Sequence, residues 1–170
     1  MEFKTVSSTQ TKKIAGLLAK EILASSSHFC NALVLALVGN LGSGKTTFIQ
    51  GFLRGLGIKN KITSPTFVIA KKYKFPSFAS INSGFTSNGK VMAGKKTINY
   101  KRAWHFDCYR IRKPTELFNL GFKEILSDPE NIILIEWPEV IKKVLPKNSI
   151  WIKFKHGEKE NKRTINFRNV

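Results

Sequence analysis

Acidic residues are scarce in this 170-residue chain: 11 Asp and Glu stand against 29 Lys and Arg, giving a formal net charge of +18. That balance favours anionic partners such as nucleotides, RNA or an acidic protein surface, without choosing among them. A lysine-biased composition that only solvates the surface explains it equally well, since many of the lysines are scattered. Cysteine is as rare. Cys30 and Cys108 form no CxxC and lie far apart, which indicates neither a zinc site nor a disulfide framework. Both are expected to be small buried residues in a reducing cytoplasm. Long apolar runs are also missing: the longest, "ALVLALV" from Ala32 to Val38, is far shorter than the roughly 20 residues a membrane span needs. The opening "MEFKTVSSTQ" lacks the basic-then-apolar layout of a signal peptide. The expectation is a soluble, cytoplasmic protein with no membrane contact, forming one domain over residues 1–170.

What is present alternates between two periods. Ile14, Leu17, Leu18 and Ile22 recur at helical spacing behind Ser and Thr, predicting a helix over 8–24. "ALVLALV" is β-compatible and apolar on both parities, as in a strand covered on both faces. Phe48, Ile49, Phe52, Leu53 and Leu56 line one side of a further helix that Gly57 can terminate. Strands are predicted at 66–73, 98–106 and 131–139, the last stopped by Pro138, and a helix over 113–126 with Pro114 near its start. "SIWIKFK" (149–155) and "RTINF" (163–167) alternate as a closing antiparallel pair. Residues 75–97 are rich in Ser, Gly and Asn, follow neither period and read as a flexible excursion, although Phe75, Phe78 and Phe85 suit docking. Strands interleaved with helices indicate an α/β fold: a mixed, mostly parallel sheet flanked by helices, with an antiparallel pair at the C-terminal end.

Between the apolar strand and the helix lies Gly39-Asn40-Leu41-Gly42-Ser43-Gly44-Lys45-Thr46, a complete G-x-x-x-x-G-K-[ST] followed by Thr47. Phosphate oxygens need several backbone N–H groups converging on one point, and glycines permit both the turn and the approach. Lys45 supplies a charge toward the β and γ phosphates, Thr46 a hydroxyl for Mg²⁺, and the helix start its positive dipole end. The loop therefore predicts a P-loop NTPase-like fold holding a nucleoside triphosphate. A second metal-associated or water-positioning acid belongs at the end of a neighbouring buried strand. Asp107 after "AWHF" and Glu136 after "IILI" are the candidates. Thr66 in "SPTF" stands where a switch-like hydroxyl could sense the γ-phosphate, although Ser-Pro-Thr is also ordinary turn chemistry. His105 by itself reads as a packed or hydrogen-bonded strand residue rather than a catalyst, and Trp137 as core or as a ring stacked on a base or partner.

Four landmarks in this order, "GNLGSGKTTF", "SPTF", "HFDCYR" and "IEWPE", resemble the bacterial tRNA threonylcarbamoyladenosine biosynthesis ATPase family, TsaE, over about Ser8 to Arg163. The resemblance implies an ATPase, using ATP and Mg²⁺, that sustains turnover of TsaB and TsaD partners. Those partners place threonylcarbamoyl on adenosine 37 of tRNAs reading codons that begin with A, so tRNA is reached through the complex. By motif, Gly39 to Thr47 would bind phosphates, Thr46 and Glu136 would hold the metal and Asp107 would take part in hydrolysis. Thr66 would be the switch-like residue and Trp137 would flank the nucleotide or the interface. Ser8, Thr11 and Arg163 fall where the family contacts nucleoside or phosphates. Two departures stand out: Asn40 replaces the usual Asp of the loop, and the 75–97 excursion exceeds the family's short connection.

Three other classes share parts of this pattern. A small nucleoside or metabolite kinase has the same loop but needs a lid with arginines facing the phosphates, and 75–97 contains none. A regulatory GTPase is disfavoured because "NKIT" (60–63) lacks the Asp of a guanine reader. A basic RNA-binding module with a structural nucleotide site would show affinity falling steeply with salt.

Overall fold

The structure is a computed structural model, and it describes residues 1–25, 30–65, 68–75, 100–157, 159 and 161–169. Strands β1 (Glu2–Thr5), β2 (Leu33–Val38), β3 (Ala70–Lys74), β4 (Arg102–Asp107), β5 (Asn131–Glu136), β6 (Ile150–His156) and β7 (Arg163–Asn169) form one sheet in the order β1-β7-β6-β2-β5-β4-β3. The contiguous strands β6, β2, β5 and β4 are mutually parallel; β3 and β7 pair antiparallel to β4 and β6, and β1 antiparallel to β7. This is the mixed α/β sheet predicted, with its closing antiparallel pair at β6 and β7.

Both parities of β2 are buried, as its unbroken apolar run requires. Leu33, Leu35 and Leu37 face α1 (Ser8–Ala24) and α2 (Lys45–Gly55), whereas Val34 and Ala36 face α3 (Pro114–Phe118), α4 (Phe122–Ser127) and a 3₁₀ helix, Pro138–Val144. Helix α1 starts where predicted, with Ser7 as N-cap accepting a hydrogen bond from the Gln10 N–H. Its closest seam, however, is Thr11, Ala15 and Ala19 rather than the large residues of the stripe, and Leu17 is exposed. The reason is α2, whose Gly51 and Gly55 bring the two backbones together. A Cβ built on Gly51 would lie 2.4 Å from the Lys12 carbonyl oxygen, and one on Gly55 2.7 Å from the Gly16 Cα.

Several expectations change. The helix expected over 113–126 is two short helices, because Gly121 takes φ +75° between them. Strand β3 is displaced to 70–74, with Val68 in a turn and Ile69 at φ +62°. Strand β4 begins at Arg102, and β5 ends at Glu136 because Trp137 turns left-handed and Pro138 opens the 3₁₀ helix. Strand β1 was not anticipated. Cys108 is buried, but Cys30 is exposed. Thr66 and most of the 75–97 excursion lie outside the described residues.

Candidate functional site

The register of the parallel strands assembles the site. Leu37 lies opposite Glu136, and Glu136 opposite Asp107, so the ends of β2, β5 and β4 share one edge of the sheet. Gly39 begins the loop that leaves β2 there. It takes φ +149°, and a Cβ on it would sit 2.5 Å from the Phe154 carbonyl oxygen and 2.9 Å from Ser43 Oγ, so no other residue fits. Gly44 precedes α2 without a side-chain cap, and the first N–H groups of α2, on Lys45, Thr46 and Thr47, have no acceptor within the helix. Ser43 Oγ is buried and, among the described residues, unpartnered. A cleft of about 400 Å³ opens beside the loop, lined by Leu41, Gly44 and Thr47 and by the acids and Trp137. These features fit an incoming phosphate chain.

Lys45 is 4% exposed. Its Nζ donates to the carbonyl oxygens of Gly39 at 2.7 Å and Asn40 at 3.1 Å and stands 3.9 Å from the centroid of the Trp137 ring. Burial lowers its pKa below the usual lysine value, and the charges of Glu136, Glu139 and Asp107 oppose that shift. The ammonium thus crosses its own loop and has, among the described residues, no direct carboxylate partner. An anionic ligand would supply the missing counter-charge.

The hydroxyl of Thr46 donates to Glu136, 2.9 Å from Oε1 and 3.0 Å from Oε2, joining residues 90 positions apart. His105 Nε2 lies 3.0 Å from the same Oε1. His105 is fully buried, and its Nδ1 has no partner among the described residues. Asp107 accepts the Tyr109 N–H on Oδ1 at 3.1 Å and the Ser64 hydroxyl on Oδ2 at 3.2 Å. No set of three or more His, Cys, Asp or Glu among the described residues is arranged to hold a metal by itself. Thr46 and Glu136 would suit Mg²⁺, which takes few protein ligands and completes its shell with water and substrate phosphates. Trp137 holds φ +58° and ψ +54°, a conformation costing a non-glycine residue about 1–2 kcal/mol. Its ring meets Tyr109 at 5.1 Å.

The remaining candidates lie around this centre. Arg163 stands against Gly44, its side chain 3.7–3.9 Å from where a Cβ there would be. Thr11 is buried, with its Oγ1 2.9 Å from Thr5 Oγ1, and Thr5 is the register partner of Arg163. Ser8 is exposed at the start of α1. Neither these three nor Ser43 lines the cleft.

Sequence reasoning passed over Ser64 and Tyr109, although both sit inside quoted motifs. It also missed a second cleft of about 360 Å³ behind Gly39 and Asn40, lined by Glu139, Lys153, Lys155 and His156. His105 was read as a packed or hydrogen-bonded strand residue, and the structure supplies its partner, Glu136. Its parity with Asp107, two residues on along one strand, was the available signal.

The profile of the family "Threonylcarbamoyl adenosine biosynthesis protein TsaE" matches residues 5–83 and 85–165. The TsaE protein of Bacillus subtilis is 32% identical over 167 residues, covering 98% of this chain and 84% of that protein. Those of Rickettsia felis and Rickettsia conorii are each 34% identical, and the matches span 80% and 82% of this chain. They cover only 61% and 62% of the two rickettsial proteins' own length. The crystal structure of Bacillus subtilis YdiB superimposes with a TM-score of 0.65 at 28% identity, over 98% of this chain and 83% of that one.

Proposed function

This chain belongs to the TsaE family of threonylcarbamoyl adenosine biosynthesis proteins, and from that premise we propose that it is a Mg²⁺-dependent ATPase. Its hydrolysis of ATP sustains turnover of a TsaB–TsaD type complex that modifies adenosine 37 of tRNA. The observation that carries the reading is the Thr46–Glu136 hydrogen bond at 2.9 Å beside the glycine loop, with Asp107 on the adjacent strand. No helix among the described residues is long and apolar enough to cross a membrane.

In this reading each group has a physical task. The loop N–H groups and Lys45 bind the phosphates of ATP, and Lys45 exchanges its two loop carbonyls for phosphate oxygens. Thr46 and Glu136 would hold Mg²⁺, which when bound would supply charge neutralisation for the phosphates. Asp107, fixed by Ser64 and the Tyr109 N–H, orients the attacking water. Trp137 walls the cleft and keeps the lysine ammonium partly desolvated.

Phosphate release from MgATP by the purified chain, alone and with a TsaB–TsaD pair, tests the proposal. Slow turnover that changes when the pair is added is expected. No effect of the pair, together with phosphorylation of a nucleoside or other small acceptor, would replace this reading with a kinase.

A further inference from the structure

Strands β6, β7 and β1 alternate strictly. One parity (Phe3, Ile152, Phe154, Ile165 and Phe167) belongs to the core beneath α1 and α2. The other presents cations: Lys4, Lys153, Lys155 and Arg168 are all exposed. The register sets them in rows. Lys155, Thr164 and Lys4 are successive partners across the three strands, Lys153 is opposite Asn166, and Trp151 is opposite Arg168. Neighbouring strands lie about 4.8 Å apart, so Lys155 and Lys4, two strands apart in one row, stand about 10 Å from each other with Thr164 between them. Lys142, exposed on the 3₁₀ helix, adds its Nζ 5.6 Å from the Trp151 ring. Glu2 shares the face at its outer edge, and Glu139 lines the second cleft beside Lys153 and Lys155. Among the described residues no ion pair neutralises these cations, whereas Lys101 and Arg102 pair with Asp128 and Glu130 elsewhere on the sheet.

We propose that this sheet face, formed by β6, β7 and β1, binds the phosphate backbone of a structured RNA directly. Unpaired cations on a rigid sheet attract a polyanion, and each phosphate contact releases condensed counterions. The half-buried Trp151 ring and the Thr164 and Asn166 side chains add stacking and hydrogen bonding to ribose or base, a composition suited to RNA more than to an acidic protein. Lys153 and Lys155 also line the second cleft with Gly39 and Asn40, so the face runs up to the glycine loop. The proposal stands apart from the ATPase reading, because Lys4, Lys142 and Arg168 do not line the cleft that Lys45, Thr46 and Glu136 form.

The test is fluorescence anisotropy of a labelled, unmodified tRNA transcript titrated with the full chain from 50 to 300 mM salt. Wild-type affinity should fall steeply with salt. In the triple variant Lys4→Ala, Lys142→Ala and Arg168→Ala, affinity should drop about tenfold or more, and the log–log salt slope should shrink by about two to three. MgATP binding, measured on the same preparation, should be unchanged. Wild-type affinity and slope in the variant would overturn the proposal. So would full displacement of the tRNA by polyglutamate at equal charge, which would assign the face to an acidic protein. Lysine acetylation of the unmutated chain provides a second measurement: tRNA should protect Lys4 and Lys142, and equal labelling with and without tRNA would refute the site.

Discussion

At the scale of single residues, the site brings together charges whose burial needs a ligand. Lys45 is buried and its pKa is lowered, chiefly by desolvation. Between the lowered folded value and the ordinary 10.5 the unfolded chain binds the extra proton, so stability rises with pH across that window. The charged side chain is therefore not a source of stability at neutral pH. Lys45→Ala should abolish ATP turnover, by about 100-fold or more, with Tm lowered by no more than about 4 °C. Phosphate release and a thermal melt check both halves. Glu136→Ala should impair Mg²⁺-dependent hydrolysis more than metal-free nucleotide binding; equal losses would make Glu136 merely structural. His105 Nε2 lies 3.0 Å from Glu136 Oε1, from which we predict a positioning role for it. His105→Ala should raise the Mg²⁺ concentration needed for half-maximal turnover, and His105→Gln, whose amide can reach the same oxygen, should restore much of it. A Mg²⁺ dependence identical in all three proteins would contradict that role.

At the scale of elements, the glycine loop is held in place by the helix behind it, and α2 is held by its close approach to α1. Gly51→Ala improves helix propensity by about 1 kcal/mol. It also drives a methyl group to within 2.4 Å of the Lys12 backbone, which cannot give way as a flexible side chain would. The steric effect wins: a net loss of about 2 kcal/mol is expected in urea unfolding. The β3–β4 pair supports a different forecast. Lys74 is the register partner of Arg102, and the Phe75 N–H donates to the Lys101 carbonyl at 3.1 Å, so the ends of the long connection already meet. Deleting residues 77–95 should therefore leave ATP binding intact, as measured by calorimetry. A melted or nucleotide-blind product would show that the segment belongs to the core.

At the scale of the whole molecule, a net charge of +18 is self-repelling. Screening shortens the reach of that repulsion from about 30 Å at 0.01 M salt to about 10 Å at 0.1 M. Tm should accordingly rise by a few degrees from 10 to 300 mM NaCl, by calorimetry without nucleotide. A fall would mean that the few carboxylate pairs, such as Arg102 with Asp128, outweigh the general repulsion.

Much of this architecture was legible because local physics dictates it. The apolar run of β2, the glycine loop and the helix after it read directly, since each depends on neighbours within a few residues, and the order of motifs was enough to place the chain in its family. Tertiary structure decided what depends on distant partners. The small-residue seam of α1 follows from the glycines of α2, and the break at Gly121 from a single dihedral. Recruitment of His105 behind Glu136 follows from a register between two parallel strands. The cations of β6, β7 and β1 gather on one face only once three strands far apart in sequence are laid side by side, because alternation fixes each side chain's face and pairing fixes its neighbours.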